Sequence, residues 1–376
     1  MTLTLKRRFG MVAWMVLVLI CLIYAPMAIE YFGHYLSADA PRLWVHLFSW
    51  ATSDAHVFGP GSVELKQRQV YAASASQMLI HTVGGGLVIL LACLQFSAGF
   101  RQRYPDWHRL LGRVQVSIVV VAMVAAMIYL VRTGPADTYN GPAFFMQLWM
   151  LALGTLASTL LAVVAIVRGQ VRMHYSLMAF SFVLLLSAPA LRIEWLIFAN
   201  LYPGMTQEMT NMASAIIFGF LSAPLAVAAT RIMDSRPATT KPVGRSPGVR
   251  LQAMIWAVGV LVAVGLSVAY RELVGPFQWL HGVLLVTALG VFSAYGVTLI
   301  VALRGSHRTA MHEWRIHFAA LGAAPVAMVL SWMLLGAFFT HEEAFWSAVL
   351  IGPAIALSIG FLIVTWSRRV GAIGRS

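Results

Sequence analysis

The sequence predicts an all-α integral membrane protein of about ten transmembrane helices, and three observations carry that prediction. First, the 376 residues are 60% hydrophobic and only 10% charged, with a mean hydropathy of +0.80, whereas a soluble domain carries about 25% charged residues. Second, ten apolar segments are long enough to cross a bilayer, which takes about 20 residues each. Third, the basic residues follow the alternation of the connections. With the N-terminus inside, 20 of the 26 Lys and Arg residues fall on inner segments, leaving Arg42, Lys66, Arg68, Arg132, Arg192 and Arg271 outside. This positive-inside bias reads the +13 net charge as topology, N-in and C-in, and sets nucleic acid aside as a partner.

Taken in order, Lys6-Arg7-Arg8 precede an apolar run from Met11 to Ile29. It is longer than the roughly 7–15 residue core of a secretory signal and reads as a retained first span. Cleavage at Ala25-Pro26-Met27-Ala28 is the competing reading. Residues 34–75, with Trp44, His46, Phe48, Trp50 and His56, are too few for an independent core and predict an outer cap or interfacial helix. Further spans are expected near 76–98, 109–131, 143–167, 173–198, 209–232, 251–270, 277–303, 313–337 and 344–367. All should be helices, because an isolated stretch in lipid must satisfy its own backbone. Residues 234–250, rich in Pro, Ser and basic residues, predict a flexible cytoplasmic linker.

The two sides of that linker resemble each other. Gly112-Arg113-Val114-Gln115 has a counterpart in Gly248-Val249-Arg250-Leu251-Gln252. Tyr129 before Gly134-Pro135 matches Tyr270 before Gly275-Pro276, and Arg168-Gly169 before Met173-His174 matches Arg304-Gly305 before Met311-His312. Each of these histidines precedes a proline, Pro189 or Pro325, and then a tryptophan, Trp195 or Trp332. The expected organisation is a first helix (1–33), a cap (34–75), four-helix module A (76–200), four-helix module B with the linker (201–340), and a last helix with its tail (341–376).

Ionisable groups within spans are costly and tend to mark function or helix–helix hydrogen bonds. His81 lies about one turn into span 2, with Gly85 one turn further on the same face and Gln95 close to four turns on. A neutral imidazole binds haem iron well, and a glycine there lets a flat macrocycle approach the helix. The competing reading is a histidine that bonds a neighbouring helix, with glycines permitting close packing. His281 sits similarly in span 8, and His108, His174, His312 and His317 gather at the inner ends of spans 3, 5 and 9. Arg109, Arg113 and Arg172 stand beside the inner histidines as candidate partners for propionates or lipid phosphates, and Arg192 could anchor an anionic group or snorkel. No role is assigned to His34, His46, His56, His307 or His341. Cys21 and Cys93 both lie in apolar spans, so neither a disulfide framework nor a cysteine metal site is implied. No His-Glu-x-x-His, Walker or Gly-x-Ser-x-Gly pattern occurs.

At His81-x-x-x-Gly85, Gln95-Phe96, His108-Arg109-Leu110-Leu111-Gly112-Arg113, His174-x-x-x-Met178 and Leu191-Arg192, the chain resembles a bacterial membrane-protein family, domain of unknown function 2306, over spans 2–5. It departs from that pattern at Tyr175-Ser176-Leu177, where the family has basic residues and a tryptophan. More distantly, the module looks like the dihaem cytochrome b and ferric-reductase superfamily. That resemblance implies haem b, with His108 and His174 as ligands of an inner haem and His81 as one ligand of an outer haem. His281 would supply the ligand that span 4 lacks, where Met146, Gln147 and Met150 stand. The expected function is then electron transfer within or across a bacterial inner membrane, with a quinone or a redox protein as partner. Two alternatives belong to other classes: a transporter with proline-broken spans (Pro189, Pro224, Pro325), and a non-catalytic membrane scaffold.

Overall fold

A computed structural model of the chain describes residues 3–37, 39–232, 244–305 and 308–373. Residues 234–243 of the expected linker, His307 and Arg375 lie outside the described residues, as do the side chains of Lys6, Arg7, Arg8 and Arg369. The described residues contain no strand. The first helix is α1 (Leu3–Glu30), followed by a 3-10 turn, Gly33–Tyr35. Four short helices form the cap, α2 (Leu43–Ala51), α3 (Asp54–Phe58), α4 (Val63–Lys66) and α5 (Arg68–Ala73). Next come α6 (Ala75–Gln95), α7 (Ala98–Arg103), α8 (Pro105–Asp137), α9 (Gly141–Val167), α10 (Val171–Leu185), α11 (Ser187–Leu201) and α12 (Gln207–Ile232). The chain closes with α13 (Val249–Leu273), α14 (Trp279–Arg304), α15 (Arg308–Gly322), α16 (Ala324–Leu335) and α17 (His341–Ile373). Among the described residues ten helical segments are long and apolar enough to cross a membrane, α10–α11 and α15–α16 each counting as one. The protein is a multi-pass membrane protein.

Of the three prolines expected to break spans, two interrupt them and the third does not. Pro189 and Pro325 each lack the N–H that would bond back one turn, and the helix breaks at Leu186 and at Ala323, just before them. Pro224, expected to break span 6, sits inside an uninterrupted α12. That span is among the most enclosed, with 67% of its apolar window buried. Its packing holds the helix across the missing hydrogen bond, as neighbours do for prolines in membrane helices.

The helices sort into two compact units. Unit 1 holds residues 1–140, 148–160 and 181–211. Its helices α1, α6 and α8 pack through the glycine run: a Cβ on Gly84 would lie 2.9 Å from the Ala122 Cβ, and one on Gly86 would lie 2.9 Å from the Ala25 carbonyl and 2.7 Å from Ile29. Val88, Val119, Ala122, Met123 and Ala152 form one buried cluster of this unit, and Cys21, Ile89, Ala92 and Phe182 another. The apolar cap residues Trp44, Val45, Phe48, Val57 and Val63 pack with Tyr139 and Trp195. Polar ties fix the cap in place, from Val63 N–H to Gln207 Oε1 (2.9 Å), from Tyr139 Oη to the Gly61 carbonyl (2.6 Å), and from Gln67 Nε2 to the Asp137 carbonyl (3.1 Å).

Unit 2 holds residues 141–147, 161–180 and 212–376. Small residues again set its helix contacts. Gly219 abuts the Leu350 carbonyl, Gly259 the Gly322 carbonyl, Gly352 the backbone of Met328, and Gly360 the Ala320 side chain. Gln147 Nε2 donates to the Ala215 carbonyl at 2.7 Å, and Phe180 stacks on Phe361 with ring centroids 5.0 Å apart.

Two outcomes test this packing. Gly86→Ala should destabilise the α1–α6 contact by about 1–3 kcal/mol, the usual range for overpacking. Gly85→Ala, with nothing within 4 Å of its added carbon, should leave the melting temperature in detergent unchanged or slightly raised, because alanine is the better helix former. In the cap, burial holds the His56 imidazole below its ordinary value of 6.5. The unfolded chain therefore binds the proton first, and the stabilising contribution present above pH 6.5 is lost as the pH falls through that range. Proteolysis of the cap should accelerate below that pH, and His56→Gln should flatten the dependence.

Candidate functional site

In unit 1 the residues of interest meet at the end of the bundle covered by the cap. Gly84 brings α6 and α8 close enough for His81, one turn earlier, to reach across. His81 Nδ1 lies 3.1 Å from the Ala122 carbonyl. A carbonyl only accepts, so Nδ1 carries the proton of the neutral ring and Nε2 keeps a free lone pair. Gly85, one turn on, has open space where a side chain would stand. The other helix of the site is α11, which resumes after the break at Leu186 and carries Arg192 and Trp195. Arg192 is half-buried, its guanidinium 4.9 Å from the Trp195 ring centroid. Among the described residues no carboxylate lies within ion-pair distance of it. Its charge reaches His81, Tyr31 and Tyr71.

These three side chains are half-buried, and the Arg192 charge acts on each of them. Burial pushes the Tyr71 phenol well above its ordinary value, and the Arg192 charge pulls the other way. The neighbouring carboxylate, Glu64, is engaged by Arg42 and by Tyr31 Oη, the latter at 2.9 Å. Behind Arg192, Trp195 Nε1 donates to Asn211 Oδ1 (3.2 Å) and Asn211 Nδ2 to Asn140 Oδ1 (2.6 Å), which fixes the wall of the site.

His108 is not part of this group. It opens α8, and 14 residues of helix, about 21 Å, separate it from Ala122. Gln95 Nε2 donates to its carbonyl at 3.2 Å. The arginines beside it face outward: Arg113 is exposed, and Arg109 pairs with Asp106 at 3.1 Å on the surface. In physical terms they are placed as interfacial charges.

Unit 2 carries the remaining histidines at three separate places. His174 Nδ1 lies 2.9 Å from the Ala162 carbonyl, which again leaves Nε2 with the lone pair. His281 has the opposite tautomer. The Gln278 N–H donates to its Nδ1 at 2.9 Å, the shorter of two contacts there, so the neutral ring carries its proton on Nε2. A protonated Nε2 offers no lone pair, so this His281 does not fit an axial ligand. It is a helix cap for α14, enclosed by Tyr270, Phe277, Phe345 and Trp346 with ring centroids 4.4–5.7 Å away.

The third place centres on a residue that the sequence reading passed over. Glu313 is 1% exposed and holds two arginines. Arg368 binds both carboxylate oxygens (2.9 and 2.6 Å), and Arg231 approaches one at 2.7 Å while its guanidinium lies 5.3 Å from the Trp314 ring centroid. Buried beside them, His317 packs its ring against Trp314 and Tyr295, and His312 is buried one residue before Glu313. The one acid of the span Arg308–Leu335 is the signal that could have found this cluster.

The residues thus fit haem only in part, since His81 and His174 each present one suitable nitrogen. Among the described residues no group of three or more His, Cys, Asp or Glu side chains could hold a metal ion. The matched region runs from within α6 to the end of α12. Residues 78–230 match the model of the family described as Predicted membrane protein (DUF2306). The DUF2306 segment contains His81, Gly85, His108, His174 and Arg192, and ends before Glu313. No curated protein and no solved structure matches the chain.

The Glu313 cluster makes a clear stability prediction. Breaking a buried ion pair by removing one partner costs about 3–5 kcal/mol. Glu313→Ala should lower the thermal midpoint of the detergent-solubilised protein far more than Asp106→Ala, which removes an exposed pair. Equal effects of the two substitutions would refute the assignment.

Proposed function

We propose that the protein carries a small anionic solute across the membrane, with Arg192 holding the anion. The observation that carries this reading is a half-buried guanidinium, without a carboxylate partner among the described residues, six residues beyond the break of a proline-interrupted span. A second span, α15–α16, is interrupted before Pro325 at the corresponding place. Such paired interruptions in two halves of a chain mark the binding regions of transporters. An uncompensated cation at membrane depth is costly and is stabilised when an anion docks beside it. The Tyr71 hydroxyl supplies a further donor toward that anion, whereas the Tyr31 hydroxyl is given to Glu64 and the free His81 nitrogen only accepts. The reading places the protein in a bacterial inner membrane with both termini cytoplasmic, and it requires no redox partner.

A second reading is favoured by one observation of its own. His81 Nδ1–H bonded to a backbone carbonyl is the arrangement usual for metal-bound histidines, and Gly85 leaves open space one turn away. In that reading His81 Nε2 holds haem b and Arg192 pairs with a propionate. The haem would supply one-electron transfer, with a quinone as partner.

One pair of measurements separates the readings. In a thermal-shift panel of inorganic phosphate, sulfate, and mono- and dicarboxylates, one anion should stabilise the protein, by about 2.7 kcal/mol at 100 times its Kd. Arg192→Gln should abolish that shift and Arg109→Gln should keep it. A dithionite-reduced minus oxidised spectrum of protein made with ample haem should be featureless. An α-band that His81→Ala removes would replace transport by the haem reading.

A further inference from the structure

The chain has two cysteines, 72 positions apart, and the fold brings them together inside the apolar interior of unit 1. Helices α1 and α6 run antiparallel, and their register is set where Gly86 meets Ala25 and Ile29. From that point Cys93 lies seven residues along α6, about 10 Å, and Cys21 four residues back along α1, about 6 Å, so both fall on the continuation of the same contact. Cys21 is fully buried, Cys93 is partly accessible, and both belong to the cluster formed with Ile89, Ala92 and Phe182. Both thiols lie in that one cluster, within interaction range of each other. Cys93 S–H donates to the Ile89 carbonyl at 3.5 Å, one turn back on its own helix. Neither thiol is spent on packing alone. The accessible thiol has a second thiol in the same buried cluster.

We propose that Cys21 and Cys93 form a redox-active dithiol that closes to a disulfide, with a lipid-soluble quinone as the oxidant. Both residues lie within spans, where hydrocarbon excludes charged oxidants such as glutathione disulfide. A quinone partitions there and matches the stoichiometry. Two S–H bonds break and one S–S bond forms. Two electrons and two protons pass to the quinone, which leaves as the quinol. Cys93 is the sulfur that a quinone can reach, and Cys21 is the resolving thiol. Closure would tie α1, which lies outside the DUF2306 match, covalently to α6, which begins it. This proposal is independent of whether the cap-end site takes an anion or haem.

The test uses the full-length protein in lipid nanodiscs and duroquinone, whose fully methylated ring cannot be alkylated by thiols. After anaerobic incubation the maleimide-reactive thiols in denaturant should fall from two per chain to none, one duroquinol should appear per chain, and dithiothreitol should restore both thiols. Cys21→Ser and Cys93→Ser should each keep their single thiol and yield no quinol. Two reactive thiols in the wild type after incubation overturn the proposal. So does quinol formation by either variant.

Discussion

Hydrocarbon offers a buried polar group no water to bond, and the internal arrangement of both units follows from that constraint. Several polar side chains that enter a span are answered by the backbone or hydroxyl of a neighbouring helix. His81 reaches the Ala122 carbonyl, Gln147 the Ala215 carbonyl and His174 the Ala162 carbonyl, while Thr159 and Ser181 share a hydrogen bond at 2.7 Å. Each bond demands a close helix approach, and glycine or alanine supplies it, as at Gly84 against Ala122 and Gly219 against Leu350. Small residues and polar residues therefore work as pairs in these spans.

The same constraint explains why Glu313 holds two arginines rather than one. A single buried Glu–Arg pair leaves carboxylate lone pairs unsatisfied in a medium where desolvation is expensive. With Arg368 bonded to both oxygens and Arg231 within ion-pair distance from another helix, the carboxylate carries two cationic partners, and α12, α15 and α17 are tied at one point. Trp314 covers the Arg231 guanidinium, which extends the apolar surface over a charge. An arrangement of this kind contributes more to selecting one helix register than to net stability.

Apolar length and charge alternation were enough to count the spans, because crossing a bilayer is a demand on composition that does not depend on partners. Pro189 and Pro325 were legible as breaks for the same reason, since the missing N–H is a local property. Pro224 was not, because the outcome there depends on how tightly α12 is packed, and packing is not local. His81 with Gly85 was visible as a spaced pair, yet its tautomer was not, because that is decided by Ala122, 41 residues away. His281 looked equivalent to His81 by position, and the neighbouring Gln278 N–H reverses its ring. Cys21 and Cys93 looked unrelated because spacing says nothing about two helices separated by a cap. Glu313 was readable as the one acid of its span, but its partners Arg231 and Arg368 had been absorbed into a count of inner charges.

The tautomers also limit what the histidines can do. A histidine that donates from Nδ1 to a backbone carbonyl presents an acceptor on its far side, whereas one that accepts at Nδ1 presents only a donor. His81 and His174 belong to the first kind and His281 to the second, so the positional likeness of His81 and His281 does not extend to their chemistry. For the cap-end site this leaves a half-buried guanidinium whose charge is felt at His81, Tyr31 and Tyr71. A cationic ligand would meet repulsion from Arg192, and a neutral apolar one would leave that charge desolvated without a partner. Negative charge on the ligand resolves both difficulties, whether it is a solute's own carboxylate or phosphate or the propionate of a macrocycle. Arg192, rather than any histidine, is therefore the residue on which both readings of the site converge.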